Sequence, residues 1–383
     1  MKTGVLFTIC FFLFIVVSAC TENRSAPALF NVPSAYSVGK KPSSLVAEDF
    51  NSDGYPDLMV SNSAGDSLTY LAGTGDGTFM APVTMKTGRE PMALATGDFN
   101  GDGLPDVAVS NYGDGEVSII LSQKDGMFRK KTNVEVGRLP IALASGDFNN
   151  DKIADLAVTL RFDKLLILLG VGDGTFKLAE SYQASGTPAY ITVGDFDNDK
   201  NMDIAVALNS VKAGHIKVFY GKGDGTFLSP RKLKGGKQSS FITQADVNRD
   251  GYLDLMISNT MFDSLTLFLG GDNRHFTRVE DFAGEKGPEF IVPGEFTGDD
   301  KLDMVVCNKR DGSISVVEGR GDGSFVYPHF NYAVGSSPRA MVGADFNQDG
   351  LTDLAVLLYD TQVLQVIMRS AEGVSRIDGT EDT

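Results

Sequence analysis

Short runs of apolar and small residues, separated by glycine and aspartate, recur along most of this 383-residue chain. The clearest stretch has runs at 91–97, 107–111, 117–121 and 128–136, with turns rich in Gly and Asp between them. Runs of this length bounded by such turns are typical of strands and too short for helices. The pattern therefore predicts an all-β protein in which four short strands form one unit.

The four-stranded unit occurs seven times. An acidic segment marks each copy, and successive segments begin 48–51 residues apart. Their first residues are Asp49, Asp98, Asp147, Asp195, Asp246, Glu295 and Asp345. Evenly spaced units of four strands are the signature of a β-propeller, so we expect one seven-bladed ring over residues 29–370 and not several independent domains.

A segment ahead of the first unit predicts how the ring closes. Each unit ends in a strand that opens with Phe, and the same signature occurs early, from Phe30 to Gly39. The seventh unit lacks this strand, because a polar stretch follows Met368. We therefore expect residues 30–38 to complete the last blade, which removes two open sheet edges. The repeated Phe residues should fill the core between blades.

Each acidic segment is a nine-residue loop with the donor set of a calcium site. Side-chain oxygens at positions 1, 3, 5 and 9, with the backbone carbonyl at position 7, can surround a hard cation. Glycine at position 6 permits the turn that brings the two halves of the loop together. The predicted ligands in six loops are Asp49, Asn51, Asp53, Tyr55 and Asp57; Asp98, Asn100, Asp102, Leu104 and Asp106; Asp147, Asn149, Asp151, Ile153 and Asp155; Asp195, Asp197, Asp199, Asn201 and Asp203; Asp246, Asn248, Asp250, Tyr252 and Asp254; and Asp345, Asn347, Asp349, Leu351 and Asp353.

The seven loops differ in how well they keep this pattern. Loops one, two, five and seven keep all of it, whereas loops three and four have Lys152 and Lys200 in place of the glycine. A residue with a side chain adopts the required conformation at a higher energetic cost than glycine. Loop six departs furthest, so we expect its site to be weak or empty. Its corresponding residues are Glu295, Thr297, Asp299, Lys301 and Asp303.

An EF-hand begins with a similar set of residues but requires a bidentate Glu at position 12. That position holds Val or Ile in all seven loops, which rejects the EF-hand. The residues are Val60, Val109, Val158, Val206, Ile257, Val306 and Val356.

Charge follows the loops. They hold 23 of the 50 acidic residues, and seven divalent cations would bring the net charge from −16 to −2. The alternative is a set of solvated acidic turns without metal. A chain with 50 acidic and 34 basic residues is a poor partner for nucleic acid, which needs a basic surface.

The N-terminus has the features of a bacterial lipoprotein signal. An apolar run over 5–17, too short to span a bilayer, leads to Ser18, Ala19 and Cys20. We expect cleavage after residue 19, lipid on Cys20, a tether over 20–28 and a location in the bacterial cell envelope, either at the outer membrane or at the cell surface. A plain secretory signal or a buried apolar strand are the alternatives. Residues 371–383 form a polar tail, and Cys307 would be left without a disulfide partner.

The segments Asp98 to Asp106 and Gly75 to Phe79, with Pro82, resemble the FG-GAP or VCBS-type repeats of integrin α heads and of many bacterial surface proteins. The likeness extends around the ring and covers nearly all of the mature chain. It implies a propeller with calcium at loop positions 1, 3, 5, 7 and 9, on the face opposite the usual ligand face. It implies no particular activity, because such repeats occur in adhesins, in lectins and beside enzymes.

Three functions remain open: surface recognition or adhesion toward a glycan or protein ligand, a non-catalytic assembly scaffold of an envelope complex, and, least favoured, a carbohydrate-active enzyme. We expect a monomeric, non-enzymatic ring, since the three histidines occupy unrelated positions and no nucleophile motif occurs. Variable loops on a constant scaffold favour recognition. The candidate ligand-face residues are Tyr112, Arg161, Phe162, Lys212, Phe262, Lys309, Arg310 and Tyr359. Basic residues between blades, Lys40, Lys41, Arg89, Arg138 and Lys286, suggest an anionic partner such as an acidic polysaccharide.

Overall fold

The computed structural model describes residues 29–209, 214–279, 281–326 and 330–370. These residues form an all-β, seven-bladed propeller of antiparallel sheets. The first strand is β1 (Ser34–Ser37), and each blade then runs from an inner to an outer strand. The first strands of neighbouring blades pack against one another around the whole ring. The predicted fold class is confirmed.

The strand bounds of the first four blades follow. Blade one has β2 (Pro42–Glu48), β3 (Asp57–Asn62), β4 (Ser67–Leu71) and β5 (Val83–Lys86). Blade two has β6 (Pro91–Gly97), β7 (Asp106–Asn111), β8 (Glu116–Ser122) and β9 (Phe128–Glu135). Blade three has β10 (Pro140–Gly146), β11 (Asp155–Leu160), β12 (Lys164–Gly170) and β13 (Phe176–Gln183). Blade four has β14 (Thr187–Gly194), β15 (Asp203–Asn209), β16 (His215–Phe219) and β17 (Arg231–Lys234).

The last three blades complete the ring. Blade five has β18 (Phe241–Ala245), β19 (Asp254–Asn259), β20 (Ser264–Gly271), a 3-10 turn (Asp272–Arg274), β21 (His275–Arg278) and β22 (Phe282–Ala283). Blade six has β23 (Pro288–Gly294), β24 (Asp303–Asn308), β25 (Ser313–Val317) and β26 (Phe330–Ala333). Blade seven has β27 (Pro338–Ala344), β28 (Asp353–Leu358) and β29 (Val363–Ile367). Within the described ranges, no helix is long and apolar enough to cross a membrane.

The N-terminal segment closes the ring as predicted. Strand β1 is the outermost strand of blade seven, where Ser34 pairs with Val366 and Ser37 with Val363. A further bridge joins Phe30 to Arg369. The blade therefore contains both ends of the described chain, and its backbone groups are paired across four strands.

Phenylalanines from two positions of the repeat fill the space between blades, as the sequence predicts. Six loops have Phe at position 2, and each of these side chains is fully or almost fully buried. Five of the six contact the Phe near the start of the last strand of the next blade. Phe99 and Phe176, for example, lie 5.3 Å apart between ring centroids, and Phe148 and Phe227 lie 5.6 Å apart. Edge-to-face packing of this kind adds stability beyond the buried area.

Candidate functional site

The seven acidic loops connect the first and second strands of each blade, so all of them lie on one face of the ring. In loop two, Asp98 accepts hydrogen bonds from the backbone N–H groups of Asp102 (3.2 Å) and Gly103 (2.9 Å). Asn100 Oδ1 accepts from Asp102 N–H (2.9 Å), and Asp102 Oδ1 accepts from Leu104 N–H (2.9 Å). The side-chain oxygens at positions 1, 3 and 5 therefore hold the backbone of the loop in its turn by accepting its N–H groups.

Position 6 has a positive φ in every loop, as expected from its glycines. Gly103 has φ +84°, while Lys152 and Lys200 adopt φ +69° and +71°, and Asp300 adopts φ +61°. A Cβ atom added at Gly103 would meet no atom within 4 Å. Glycine is therefore favoured here for its backbone conformation and not for lack of space.

A reciprocal pair of substitutions measures the energetic cost of having a side chain at position 6. Lys152→Gly is expected to stabilise the protein by about 0.5–1 kcal/mol, since the left-handed conformation costs L-residues about 1–2 kcal/mol and glycine gives part of that back in chain entropy. Gly103→Lys should destabilise it by a similar amount. Urea unfolding of both variants in the same chelator-containing buffer checks the pair. Equal midpoints for both variants and the parent would refute the assignment.

Position 9 has a second role that the sequence reading missed. Its carboxylate is fully buried in all seven loops, at the start of the second strand. Oδ2 accepts the N–H of the residue at position 2, and Oδ1 accepts an N–H at the end of the third strand or just after it, at distances of 2.7–3.1 Å. The residues are Asp57, Asp106, Asp155, Asp203, Asp254, Asp303 and Asp353. Since a carboxylate has about four acceptor sites, these hydrogen bonds leave it able to bind a cation as well.

Burial raises the pKa of these seven carboxyl groups. The pKa of Asp203 rises from 3.8 to about 7, and that of each of the other six rises to about 6. Desolvation outweighs the backbone hydrogen bonds, which act in the opposite direction. A bound cation would supply the positive charge that favours the ionised form of each group.

Among the described residues, loop four is the place where three acidic side chains come close enough to share a cation. Oxygen atoms of Asp195, Asp197 and Asp203 lie within 4.8 Å of one another. The side chain of Asp197 is 5% exposed, and its Oδ1 has no hydrogen-bond partner among the described residues. A buried carboxylate oxygen without a partner is costly, and an all-oxygen donor set suits Ca²⁺ and not a softer metal. The residues present therefore fit the predicted ion.

Two predicted ligands of loop six are paired with basic side chains. Arg369, at the end of blade seven, places Nη1 and Nη2 each 3.2 Å from Glu295 Oε2 and donates to the Glu295 carbonyl at 2.7 Å. Lys301 Nζ lies 2.5 Å from Asp299 Oδ2. Two of the predicted ligands are thus paired with side chains of the protein. This arrangement gives a physical basis for the prediction of a weak or empty site.

Neighbouring loops also contact each other through position 4. Asn150 donates to Asn201 Oδ1 (2.9 Å), and Asn198 donates to the Gly251 carbonyl (3.0 Å). Gln348 donates to the Gly54 carbonyl (3.0 Å), which joins loop seven to loop one. These contacts could not be predicted from the sequence, because side chains at position 4 vary and their partners lie about one repeat away or at the opposite end of the chain.

The opposite face carries the turns between the second and third strands of each blade. Of the candidate ligand-face residues, Phe162 (65% exposed) and Phe262 (47% exposed) project into solvent. Arg161 Nη1 donates to Tyr112 Oη at 2.6 Å, a contact between blades three and two. Lys212 lies outside the described residues.

The remaining candidates on this face also contact protein groups. Arg310 pairs with Asp263, and Lys309 Nζ lies 3.2 Å from Glu289 Oε2. Lys41 Nζ lies 6.0 Å from the ring centre of Tyr359.

Two further features of this face were not predicted. Glu289 is nearly buried at the start of β23, where Arg339 and Lys309 both pair with it. The second feature is a pair of grooves of the same type. One lies between blades two and three and the other between blades six and seven, with volumes of about 320 and 550 Å³. Asp114, Glu116 and Glu135 outnumber Arg138 in the first groove, whereas Lys309 and Arg310 outnumber Asp311 in the second.

Fold and loops together define a seven-bladed propeller whose blades each carry an acidic loop on one face. The FG-GAP-like repeat pattern matches residues 49–109, 98–158, 147–206, 195–257 and 295–356. These matches span more than half of the chain, which therefore belongs to the FG-GAP-like repeat family. No curated protein matches it in sequence.

Solved structures show the same fold at low sequence identity. BBS1N, crystallised in complex with ARL6DN, aligns with a TM-score of 0.66 at 13% identity over 91% of this chain and 99% of that chain. A Bacteroides uniformis protein provisionally assigned as a 6-phosphogluconolactonase aligns with a TM-score of 0.60 at 17% identity, over 78% and 87%. A Lactobacillus plantarum protein aligns with a TM-score of 0.58 at 16% identity, over 80% and 88%. At these identities the likeness concerns the fold alone.

Proposed function

We propose that the protein is a calcium-stabilised recognition or adhesion module, anchored by lipid on Cys20, that binds an anionic glycan through the face opposite its acidic loops. The charge distribution carries this proposal. The seven loops contain 23 acidic and four basic residues, a net charge of −19, whereas the whole chain has −16, so the rest of the chain has +3. The negative charge is concentrated on the loop face, and an anion would approach the ring from the other side.

Acidic side chains on the proposed ligand face are engaged in holding turns together. Asp66 accepts the Glu90 N–H (3.0 Å), and Asp163 accepts the Gly186 N–H (2.9 Å). Asp263 accepts the Gly287 N–H at 2.8 Å. Each of these bonds joins the turn of one blade to the segment that leads into the next blade. These three carboxylates thus have local partners, so outside the acidic groove of Asp114, Glu116 and Glu135 the basic side chains are favoured as the groups that meet a ligand.

Calcium would have a structural role in this proposal. The loops lie at the junctions between blades, where backbone N–H groups of Gly77, Gly174 and Gly225 donate to the Phe carbonyl of the preceding loop. Ions at these junctions would hold the blades in register and leave the opposite face free to vary. The ligands would be those of the six better loops, with Asp98, Asn100, Asp102 and Asp106 as the model case.

Binding of an acidic polysaccharide tests the proposal. Biolayer interferometry at fixed calcium, with immobilised polyuronate against neutral dextran, should show binding to the polyuronate alone that weakens as salt rises. Lys237 lies on the same face, with Nζ 5.4 Å from the ring centre of Phe262. A variant with Lys40, Lys41, Lys237 and Lys286 changed to Gln should bind at least about tenfold more weakly, from modest contributions of each charge. A control variant changes Lys124 and Lys222 on the loop face to Gln and should bind as the parent does.

Binding without salt dependence, or equal loss in both variants, would refute the anionic ligand.

One observation favours a second candidate, a scaffold that docks a protein. Phe162, Met261 and Phe262 are exposed at the turns of blades three and five, and such side chains often mark protein contacts. Pairwise replacement of Phe162 and Phe262 with Ser would then abolish partner binding, while the lysine variant would leave it intact.

A further inference from the structure

Loop four forms ion pairs with an arginine side chain of the next blade. The side chain of Arg274, from the turn after β20, places Nε 2.6 Å from Asp197 Oδ2 and Nη2 3.9 Å from Asp199 Oδ2. Asp197 and Asp199 occupy positions 3 and 5, two of the predicted calcium ligands. Loop four is also the loop in which position 3 is a carboxylate, since the others have Asn or Thr there.

The turn that carries Arg274 differs from its counterparts. Blade four turns through Gly223-Asp224-Gly225-Thr226 before Phe227, whereas blade five has one residue more between the Asp and the Phe, in the sequence Asp272-Asn273-Arg274-His275. Asn273 and Arg274 have φ values of +53° and +62°, a strained conformation for two consecutive residues. The insertion therefore directs a guanidinium toward the preceding loop.

Contacts with blade four hold this turn in place. The Arg274 guanidinium lies 4.9 Å from the ring centre of Tyr220, within range of a cation–π interaction. The Tyr220 hydroxyl donates to the Arg274 carbonyl at 3.2 Å, and the Arg231 guanidinium donates to the same carbonyl. Arginine at this position is thus a specific partner of loop four and not a mobile surface charge.

One arginine does not satisfy the loop. Loop four has the carboxylates of Asp195, Asp197, Asp199 and Asp203, but among the described residues Arg274 pairs with those of Asp197 and Asp199 alone. The buried Oδ1 of Asp197 still has no hydrogen-bond partner in this part of the chain. A divalent cation would compensate more of this charge and could bind that oxygen. The side chain of Arg274 is 39% exposed, so it has a route into solvent. Arg369, which pairs with Glu295 of loop six, has no such route, because its side chain is 2% exposed.

We propose that Arg274 gates the metal site of loop four: it pairs with Asp197 and Asp199 when the loop is empty, and Ca²⁺ displaces it. The inference rests on the proposed calcium sites. It predicts that loop four binds calcium more weakly than its four carboxylates alone would, and that occupancy releases the turn at residues 272–274. Loop six, by contrast, keeps its arginine and takes no ion.

Calorimetric calcium titration of Arg274→Gln tests the gate. Removing the competing cation should tighten one site by about tenfold, the scale of one charge-assisted hydrogen bond, and leave the others unchanged. Arg89→Gln is the matched control, because Arg89 forms an equally short pair with Asp114 (2.6 Å) on the other face. Adding Asp195→Asn to Arg274→Gln should abolish the tightened site, which assigns the change to loop four.

Hydrogen exchange on the unmodified protein gives an independent readout. Calcium should increase amide exchange at residues 271–275 while it protects loops elsewhere. An unchanged or weaker site in Arg274→Gln, or protection of 271–275 by calcium, would overturn the gate even if the protein binds calcium at other loops. A protein that binds no calcium at all would overturn the proposed sites together with the gate.

Discussion

Removal of calcium is expected to lower the melting temperature by about 20 °C or more. Each ion bound at 100 times its dissociation constant stabilises the folded state by about 2.7 kcal/mol. Six such sites would together exceed the whole stability of a typical protein, about 5–15 kcal/mol. Each kcal/mol corresponds to about 2 °C or more in a chain of moderate size. Thermal unfolding followed by circular dichroism, in calcium and then in EGTA, measures the shift.

Controls separate specific binding from general ionic effects. Magnesium at the same concentration should restore little of the lost stability, since it prefers a smaller and more rigid octahedral site. Asp102→Ala should reduce the calcium stoichiometry by one ion and leave the fold intact. An identical melting temperature with and without EGTA would mean that the loops are solvated acidic turns and bind no structural metal.

The architecture could be predicted because it is repeated. Seven units with one spacing specify a ring, and the early Phe30 segment specifies how the ring closes. The loops could be ranked as calcium sites for the same reason, since Lys152, Lys200 and Glu295 differ from the residues at the same positions in the other loops. Each of these inferences compares one part of the chain with another and needs no knowledge of distances in space.

Contacts between blades could not be predicted in this way. Arg274 lies 77 residues from Asp197, and Arg369 lies 74 residues from Glu295. Nothing in either local sequence indicates its partner, because the pairing depends on how blades twist against each other. The extra residue in the blade-five turn was visible, but its consequence was not.

The second role of position 9 could have been predicted from the sequence. Asp occupies this position in all seven repeats, including loop six, where positions 1 and 3 have changed to Glu295 and Thr297. A residue needed for metal alone would be expected to drift together with the other ligands. Asp303 persists because its oxygens hold the backbone of Phe296 and Gly319.

The second large effect concerns pH, and its sign should depend on calcium. In chelator, the folded pKa of about 6 for Asp106 and its five equivalents, and of about 7 for Asp203, exceeds the ordinary value of 3.8. The folded state therefore binds more protons than the unfolded state above pH 4, and stability falls as pH rises through 6. Each group contributes up to about 1.4 kcal/mol per pH unit, so we expect a loss of several kcal/mol between pH 5 and pH 7.

Calcium should reverse this slope. A bound cation requires ionised ligands, so protons compete with it, and the calcium-loaded protein should gain stability from pH 5 to pH 7. Asp76 and Asp114 have lowered pKa values, so their carboxyl groups titrate below the range from pH 5 to pH 7 and do not affect the slope. His215 opposes the trend in chelator, since burial lowers its pKa, but it is one group against seven.

Urea unfolding at pH 5, 6 and 7, with calcium and with EGTA, measures both slopes. Asp106→Asn provides the matched control, because the amide oxygen can still accept one backbone N–H while the group no longer titrates. In EGTA this variant should lose about one seventh of the pH dependence, and in calcium it should lose one site. Slopes of the same sign in both buffers would show that no cation reaches the buried carboxylates, and that position 9 serves only to hold the first and third strands of each blade together.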